Sequence, residues 1–268
     1  EIGNLRWLFL VSFLFVIMSI PISVVTATFN SAKTLPDTLR GLARQNYPAL
    51  EYIIVDGGSK DGTLDLVRNT PLVTKWVSEK DKGVYDAQSK GLRMATGDLI
   101  GVINSDDYYL DGAFDRIVQA AAQNPNADIF YGDQLYEKEN GEVVTNIQQH
   151  PIGEKDFWRM PINTATVFIR RHCYQKVGYF DLRYQISADC DLFLRFVKAG
   201  CVFAKVEGGP LALTRAGGLS DKKYGQAHVE RVKILLRQRA DAGATLRAIN
   251  RLVRYPIMSL RTGRAFKK

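Results

Sequence analysis

The sequence has little cysteine and little histidine, with three of each in 268 residues. Cys173, Cys190 and Cys201 are odd in number and lack the close paired spacing of a zinc site, so neither a disulfide framework nor a metal knuckle is indicated. We expect reduced thiols in a cytosolic protein. The histidines stand alone, and a lone histidine is more often a surface or core residue than a ligand. They are His150, His172 and His228.

Most of the chain also lacks a basic excess, although the net charge is +8. Residues 228–268 hold eleven Lys and Arg against two acids, so the preceding part is close to neutral. A nucleic-acid reader usually carries a basic stripe with interleaved aromatics on its folded domain, and no such stripe is found. With 46% hydrophobic and 24% charged residues, the chain can bury the core of one large α/β domain with an appendage.

No apolar run in the sequence has the full length expected of a membrane span. The run from Trp7 to Ile20 is uncharged but short, because a bilayer needs about 20 apolar residues. It ends in Met-Ser-Ile-Pro, which is a poor cleavage site for a secretory signal. We interpret residues 1–21 as a membrane-dipping anchor or an upstream extension.

Strand-like runs alternate with stretches of helical spacing in the first half of the chain. Strands are predicted at 22–28, 52–56, 73–78 and 99–104, and helices at 34–46, from about residue 64, and at 84–96. This rhythm predicts a mostly parallel, doubly wound sheet flanked by helices. We assign residues 22–225 to that domain and residues 226–268 to a basic helical tail.

Acidic side chains follow the ends of the predicted strands, where open α/β sheets bind their ligands. These are Asp56, Asp81 and the adjacent pair Asp106 and Asp107. Each acid could instead cap the following helix, but one acid suffices as a cap and two repel each other. Paired carboxylates suit a hard divalent cation, and Mg²⁺ usually completes its shell with waters and substrate phosphates. The pattern therefore implies a diphosphate ligand.

Five segments, in order along the chain, resemble the successive signatures of bacterial family 2 glycosyltransferases with the GT-A fold. They are residues 22–30, 55–63 (Val-Asp-Gly-Gly-Ser-Lys-Asp-Gly-Thr), 78–87, 97–98 and 104–107. The resemblance implies a GT-A-type, mostly parallel Rossmann-like sheet. It also implies an inverting transfer of sugar from a nucleotide diphosphate, most simply a UDP-sugar, to a hydroxyl of a glycan or lipid-linked glycan in cell-surface polysaccharide synthesis.

The resemblance also assigns roles to individual residues on the donor side. The donor-binding residues would be Thr28, Asn30, Asp56, Asp81 and Asp106, with Asp56 and Asp81 accepting from a uracil-type base. The metal motif reads Asn-Ser-Asp-Asp rather than Asp-any-Asp, which makes Asp107 the first metal ligand and Asp106 the second. The ion would be Mn²⁺ or Mg²⁺, bridging the diphosphate.

On the acceptor side, the segment Ser-Ala-Asp-Cys-Asp at residues 187–191 resembles the family's catalytic carboxylate at a helix start. Asp189 matches that carboxylate and would be the general base. The alternative is that Asp189 or Asp191 merely caps the helix and interacts with its dipole. Asn163 would touch the acceptor or donor sugar, and Trp158 would stack on a sugar ring or else pack in the core. Gly218 and Ser220 lie in a segment resembling the loop that closes over the donor.

The end of the chain is both basic and apolar. Residues 244–268 hold seven Lys and Arg and no acid, interleaved with leucine, isoleucine and valine. Such a segment is typical of a helix lying on an anionic membrane, although a solvated helix face has the same pattern. We expect a cytoplasmic enzyme held at the inner face of the cell membrane. The alternatives are a sugar nucleotidyltransferase, although its Gly-rich loop after the first strand is missing, and a scaffold that binds Mg²⁺ without catalysis.

Overall fold

The computed structural model describes residues 20–148 and 150–262, with side chains as far as Arg254. The apolar run predicted as an anchor and the last six residues of the basic tail therefore lie outside the described residues. Within them, the strands are β1 Ile22–Thr28, β2 Leu50–Asp56, β3 Lys75–Ser78, β4 Leu99–Val102, β5 Tyr108–Tyr109, β6 Ile129–Tyr131, β7 Gln134–Glu137, β8 Val143–Asn146, β9 Val167–Arg170, β10 Phe203–Lys205 and β11 Ala212–Arg215.

The α-helices of the described residues surround these strands, and two short 3₁₀ turns, Glu154–Asp156 and Thr164–Thr166, join them. The helices are α1 Leu35–Ala43, α2 Thr63–Arg68, α3 Val84–Met94, α4 Ala113–Gln123, α5 Arg171–Val177, α6 Ala188–Lys198, α7 Leu219–Lys222, α8 Tyr224–Arg237 and α9 Ala242–Thr262. The strands and helices predicted in the first half are present, most with ends shifted by a few residues.

The central sheet has seven strands in the order β10-β6-β9-β4-β1-β2-β3. Strand β1 lies between β2 and β4, is parallel to both, and is almost wholly buried along its length. A strand covered on both faces needs the near-continuous β-branched run that residues 22–28 supply. Only β9 runs against its neighbours in this sheet. The mostly parallel GT-A-type sheet predicted from the sequence is therefore confirmed.

Alternate side chains of the central strands enter two cores, one on each face of the sheet. Along β2, Ile53 packs in one core, whereas Tyr52 and Ile54 pack in the other. The first core is closed by α5, α6 and α8, and the second by α1 and α4. The sheet is thereby fixed as the middle layer of three, which places its carboxyl edge between the layers.

A second sheet of four short strands, in the order β5-β11-β7-β8, stands beside that edge. This sheet was not predicted from the sequence, because its strands are only two to four residues long. Strand β11 pairs with β7 in parallel and with β5 antiparallel. The segment 212–215 is therefore brought next to the end of β4.

The predicted boundary after residue 225 falls in the first turn of α8. Helix α8 packs against α6 and buries Ile234 and Leu235 in the core, so we propose that the domain continues through this helix. Helix α9 then packs on α8, with Ala244 and Ala248 buried. Within residues 20–148 and 150–262, no helix combines the length and the hydrophobicity that a membrane span requires.

Candidate active site

A cavity of about 710 Å³ lies at the carboxyl edge of the central sheet, between that sheet, the smaller sheet and α8. Eight of the residues singled out from the sequence lie on its wall. They are Thr28, Asp81, Asp106, Asp107, Asn163, Asp189, Gly218 and Ser220. Four others, Asn30, Asp56, Trp158 and Asp191, are not among the lining residues.

Asp56 is buried at the end of β2, and its carboxylate is occupied by the protein itself. It accepts hydrogen bonds from the backbone N–H groups of Gly58 and Ser59, both at 2.9 Å, and from the hydroxyl of Ser78 at 2.7 Å. Burial opposes ionisation, but hydrogen bonds from Ser59, Ser78 and Thr28 outweigh it and hold the pKa of Asp56 below its usual range. Asp56 therefore fixes the loop after β2.

The helix-capping alternative considered for Asp56 applies to a different residue. Asp61 Oδ1 accepts from the N–H of Thr63, the first residue of α2, at 3.1 Å. Asp61 Oδ2 accepts from the N–H of Ala32 at 3.0 Å. The side chain of Asn30, at φ +50°, accepts from the N–H of Lys60 and ties the loop after β1 to the same turn. These bonds hold the loops after β1 and β2 together and so support the cavity wall.

Asp81 projects into the cavity and lies against Gly57. A Cβ on Gly57 would come within 2.5 Å of Asp81 Oδ2 and 3.3 Å of the Phe29 ring, so only glycine leaves room for this carboxylate. Asp81 Oδ1 accepts from the N–H of Gly83 at 2.8 Å. The Phe29 side chain is 64% exposed beside it. A carboxylate next to an open aromatic ring can accept an N–H from a planar base and offer it a stacking surface.

Asp106 and Asp107 follow β4 and differ in burial. Asp107 is 4% exposed, and its carboxylate accepts from the Arg215 N–H at 3.0 Å and from the Asn104 side chain at 3.1 Å. Burial, together with the charge of Asp106, raises the pKa of Asp107 to about 7. Asp106 is less buried, and its carboxylate has no hydrogen-bond donor among the described residues.

The charges around this pair suit a divalent cation. The Arg215 guanidinium binds Asp37 at 2.7 Å and Glu137 at 3.1 Å and reaches only the backbone carbonyl of Asp106. In the described part of the chain, no basic side chain forms an ion pair with either carboxylate of the pair. Two adjacent acids that form no ion pair with a described basic side chain fit a metal that takes its other ligands from water and a diphosphate.

Asp189 lies in the first turn of α6 and lines the cavity. Its Oδ1 accepts from the N–H of Cys190 at 2.8 Å and from the hydroxyl of Tyr85 at 3.2 Å. Burial raises the pKa of Asp189, and the Cys190 N–H and the charge of Arg231 only partly counter it. A carboxylate with a raised pKa at a cavity wall is a suitable general base.

Asp191, the alternative to Asp189, points into the protein. It is 1% exposed and pairs with Arg195 at 2.8 Å and with the Gln238 amide at 2.8 Å. The capping of this segment falls to Glu230 of α8, which accepts from the N–H groups of residues 185, 186 and 187 at 2.9 to 3.1 Å. Asp191 therefore ties α6 to its neighbours and leaves Asp189 as the accessible acid.

The sequence model of the family described as Glycosyl transferase family 2 matches residues 23–183. The chain belongs to this family of glycosyltransferases. A PGL/p-HBAD biosynthesis glycosyltransferase of Mycobacterium tuberculosis is 28% identical over 223 residues, which cover 80% of this chain and 85% of that protein. An uncharacterized glycosyltransferase of Haemophilus influenzae is 24% identical over 184 residues, covering 66% of this chain and 62% of the relative. The sugar nucleotidyltransferase and the scaffold are thereby disfavoured.

Solved structures share the fold of this glycosyltransferase. TarS 1-349 of S. aureus in complex with UDP-GlcNAc superposes with a TM-score of 0.66 at 16% identity, covering 90% of this chain and 76% of that one. The mannosyltransferase PcManGT from Pyrobaculum calidifontis, in complex with GDP-Man and Mn²⁺, gives a TM-score of 0.64 at 18% identity, covering 87% and 69%. The chain spans 41% of the longer TarS chain. At these identities the likeness shows the GT-A fold.

The remaining predicted residues of the glycosyltransferase divide between the cavity and the core. Asn163 lines the cavity and also caps the turn after it, accepting from the N–H of Ala165 at 2.9 Å. Trp158 packs against the core beneath α9, with the guanidinium groups of Arg159 and Arg251 5.2 and 5.6 Å from its ring. The geometry thus favours packing over sugar stacking for Trp158.

The segment at 217–221 forms one rim of the cavity. Gly217 has a φ of +90°, a conformation that favours glycine, and Gly218 precedes the short helix α7. Asp221 accepts from the N–H of Gly217 at 3.0 Å and from the Tyr136 hydroxyl at 3.2 Å. Gly218 and Ser220 are therefore held beside the acidic pair by bonds within the loop and to β7.

Several cavity residues of the glycosyltransferase were not found from the sequence. Tyr85 lies in a segment already noted, but nothing local linked it to residue 189. Arg215, His228 and Arg231 stand in segments without a motif and reach the cavity through β11 and α8. Burial, with the charges of Arg231 and Arg251, lowers the pKa of His228 to about 4, so this imidazole is neutral at neutral pH.

Proposed function

We propose that the protein is an inverting, divalent-metal-dependent glycosyltransferase that uses a nucleotide-diphosphate sugar. The observation that carries the proposal is the arrangement of one cavity, in which the Asp106–Asp107 pair lies at the end of β4 and Asp189 enters from α6. A direct sugar transfer requires a site for the metal and the diphosphate on one side and a general base on the other. The solved GT-A structures named with UDP-GlcNAc and with GDP-Man and Mn²⁺ support such a donor.

For the donor base, we favour uracil. Asp81 Oδ1 already accepts from Gly83, which leaves Oδ2, beside Gly57 and Phe29, to take one N–H from a ligand. The uracil imide presents a single N–H, whereas guanine presents two neighbouring donors. Asp56, whose carboxylate is used by the loop, would act on the donor only by holding that loop in place.

For the metal, the structure favours Asp106 as the direct ligand, with Asp107 behind it. This is the reverse of the order implied by the sequence motif, because both oxygens of Asp107 accept hydrogen bonds from the protein. A carboxylate oxygen can still accept a second partner, so Asp107 can contribute charge and a further ligand atom. Mg²⁺ or Mn²⁺ bound here would neutralise the charge that develops on the leaving diphosphate.

On the acceptor side, Asp189 would take the proton of the attacking hydroxyl. The hydroxyl oxygen forms a bond to the anomeric carbon as the bond from that carbon to the diphosphate oxygen breaks, and the nucleoside diphosphate leaves. Among the described residues, five acids line the cavity: Asp81, Asp106, Asp107, Asp189 and Asp221. Two are assigned to the metal, one to the nucleobase and one to the general base, and Asp221 is bound to Gly217 and Tyr136, so none of the five remains to act as a sugar nucleophile. A single displacement inverts the anomeric centre.

For the acceptor, we propose a glycan or lipid-linked glycan reached at a membrane surface. Helix α9 exposes Leu246, Ile249 and Val253, which recur on one helical face, with Arg247 and Arg254 beside them. Apolar side chains enter the interface while each nearby cation adds about 1 kcal/mol on anionic lipid. This arrangement supports peripheral binding at the cytoplasmic leaflet.

The test is a donor screen on the purified protein. UDP-, GDP- and dTDP-sugars are incubated with and without Mn²⁺ or Mg²⁺, and release of nucleoside diphosphate is measured. We expect metal-dependent release from a UDP-sugar and, with an acceptor, a product whose anomeric configuration by NMR is opposite to that of the donor. Folded protein that releases nothing from any donor would contradict the proposal, and a product of retained configuration would contradict the single displacement.

A further inference from the structure

A second group of chemically active side chains lies at the opposite edge of the central sheet. Asp128 directly precedes β6, His172 and Cys173 lie in the first turn of α5, and Cys201 precedes β10. Strand β6 runs in the same direction as β1, so its amino end is remote from the cavity at the carboxyl ends. The group is therefore separate from the candidate active site.

The backbone holds these segments in fixed register. The N–H of Asp128 donates to the carbonyl of Val202 at 2.8 Å, and the N–H of Arg170 donates to the carbonyl of Asp128 at 2.8 Å. Residues 128, 172 and 201 are thus brought together by three neighbouring strands, β10, β6 and β9. The sequence separations of 44 and 29 residues hide this from any spacing pattern.

The ligand atoms lie as close as atoms that share one metal ion. His172 Nε2 is 3.0 Å from Asp128 Oδ1 and 3.6 Å from Cys173 Sγ, and the three atoms lie within 4.8 Å of one another. Three groups, one thiol, one imidazole and one carboxylate, therefore face a common centre. The Cys201 thiol adjoins them, close enough to Cys173 for each thiol to affect the ionisation of the other.

The two separations that involve the imidazole are close to those in a tetrahedral zinc site. With bonds of about 2.3 Å to sulfur and about 2.0 Å to nitrogen or oxygen, the tetrahedral edges are about 3.5 Å for N···S and about 3.3 Å for N···O. The imidazole edges found here, 3.6 and 3.0 Å, need little adjustment. Soft thiolates with imidazole select zinc over the hard cations expected at Asp106.

The surroundings provide outer support and a route of entry. Asp128 Oδ2 accepts from the N–H of Val202 at 2.9 Å, which orients the carboxylate while leaving Oδ1 for a ligand. Cys173 is buried, whereas the His172 side chain is 58% exposed, so an ion can reach the group from solvent past the imidazole. The ammonium of Lys176, bound to the carbonyl of Ala199, lies near enough to offset part of the negative charge.

We propose that Asp128 Oδ1, His172 Nε2 and Cys173 Sγ bind a structural zinc ion, with the neighbouring Cys201 Sγ turning toward it as the fourth ligand, so that the site joins the starts of β6, α5 and β10. Binding releases the thiol protons to solvent and adds stability that the apo protein lacks. The proposal does not depend on the reaction catalysed at the other edge. It replaces the sequence interpretation in which the cysteines indicated no metal site and His172 stood alone.

The experiment measures metal in the purified full chain after dialysis against metal-free buffer. We expect about one zinc per chain by elemental mass spectrometry, and a thiolate charge-transfer band when Co²⁺ replaces zinc. His172→Ala removes an exposed ligand with little risk to folding and should weaken zinc binding more than about tenfold, since even outer-shell changes cost that much. Cys201→Ser should remove part of the Co²⁺ band. Cys190→Ala, which removes a buried thiol outside the group, is the matched control and should keep the metal.

Three results would overturn the site. The first is reduced, folded protein that binds no zinc and gives no thiolate band with Co²⁺. The second is unchanged zinc affinity in both His172→Ala and Cys201→Ser. The third is a Cys173–Cys201 disulfide in metal-free protein whose reduction does not allow zinc to bind, which would make the two thiols a redox pair. A fall in melting temperature on chelation, absent in His172→Ala, would support a structural role.

Discussion

The hydroxyl of Tyr85 lies 3.2 Å from Oδ1 of Asp189 and 2.8 Å from the carbonyl of Ile186. Tyr85 is the second residue of α3, and Asp189 lies in the first turn of α6, so this hydroxyl connects the proposed donor half of the cavity to the proposed acceptor half. The single hydroxyl proton is shared between the Ile186 carbonyl and the carboxylate, and its attraction to the carboxylate favours the charged form and helps to fix the direction of Asp189. Tyr85 is thus a positioning residue for the proposed base.

Tyr85→Phe should lower kcat about tenfold, the worth of one hydrogen bond to a charged group, with little change in the donor KM. It should also move the acid limb of the pH profile upward, because Asp189 loses a bond that favours ionisation. The control is Tyr47→Phe, whose hydroxyl donates to the carbonyl of Ile20 at the far edge of the sheet. Equal kinetic losses in both variants would show that Tyr85 acts through packing alone.

Asp189→Asn should reduce turnover by about 10²–10⁴, as expected for loss of a general base, and leave donor binding and melting temperature nearly unchanged. Asp191→Asn should instead lower the melting temperature and leave turnover nearly unchanged. It leaves the partly buried Arg195 without its partner, a change that costs about 3–5 kcal/mol of unfolding free energy in buried pairs. Kinetics and thermal melts of both variants provide the check. A stable Asp191→Asn without turnover, beside an active Asp189→Asn, would exchange their roles.

The rate should fall as the pH is lowered through the raised pKa of Asp189, since only the ionised carboxylate accepts a proton. The acid limb of kcat/KM is therefore expected above the ordinary aspartate value of 3.8. Arg231→Met removes a positive charge that lowers this pKa, so it should shift the limb to still higher pH. Arg237→Met, on the exposed face of α8, is the control. A limb that does not move in Arg231→Met would argue against Asp189 as the titrating base.

Asp106→Asn should weaken Mn²⁺-dependent donor binding more than Asp107→Asn does, because the Asp106 carboxylate accepts no hydrogen bond from the described residues and is open to a metal. Asp107→Asn should instead lower the melting temperature, since an amide N–H would oppose either the Arg215 N–H or the Asn104 side chain. Mn²⁺ titrations and thermal melts measure the two effects. Asp111→Asn, an exposed acid a few residues later, is the control. The opposite order of Mn²⁺ affinities would restore Asp107 as the first ligand.

Glutamate at both Leu246 and Val253 should reduce sedimentation of the protein with anionic vesicles while sparing transfer to a soluble acceptor. Both side chains are 69% exposed on α9, and a carboxylate there opposes both burial and the attraction of anionic lipid. Val143→Glu changes an exposed apolar residue on β8 and should sediment like the unaltered protein. Vesicle binding that survives the double substitution would leave the apolar face of α9 without a role at the membrane.

The local pattern of the chain was enough to predict the sheet and several site residues. The buried run of β1 and the helical spacing that follows it are properties of neighbouring residues, and they make a parallel sheet the favoured arrangement. Parallel strands end at one edge, so Asp81 and Asp106 could be expected in one place from their positions alone. The segments resembling family 2 signatures placed Asp189 in the same cavity, where the structure has it.

What the tertiary structure decided is which way each acid faces and which distant residues meet it. Asp56, Asp107 and Asp191 look equivalent to their accessible neighbours in the sequence, yet each is turned inward by donors that lie up to 108 residues away. Glu230 caps a segment more than 40 residues earlier. Cys201 comes close to Cys173 and Asp128 only because β10 and β9 flank β6. Hydrogen bonds and metal–ligand contacts join atoms that are close in space but can be far apart in sequence. The periodicity and spacing of residues along the chain therefore do not predict them.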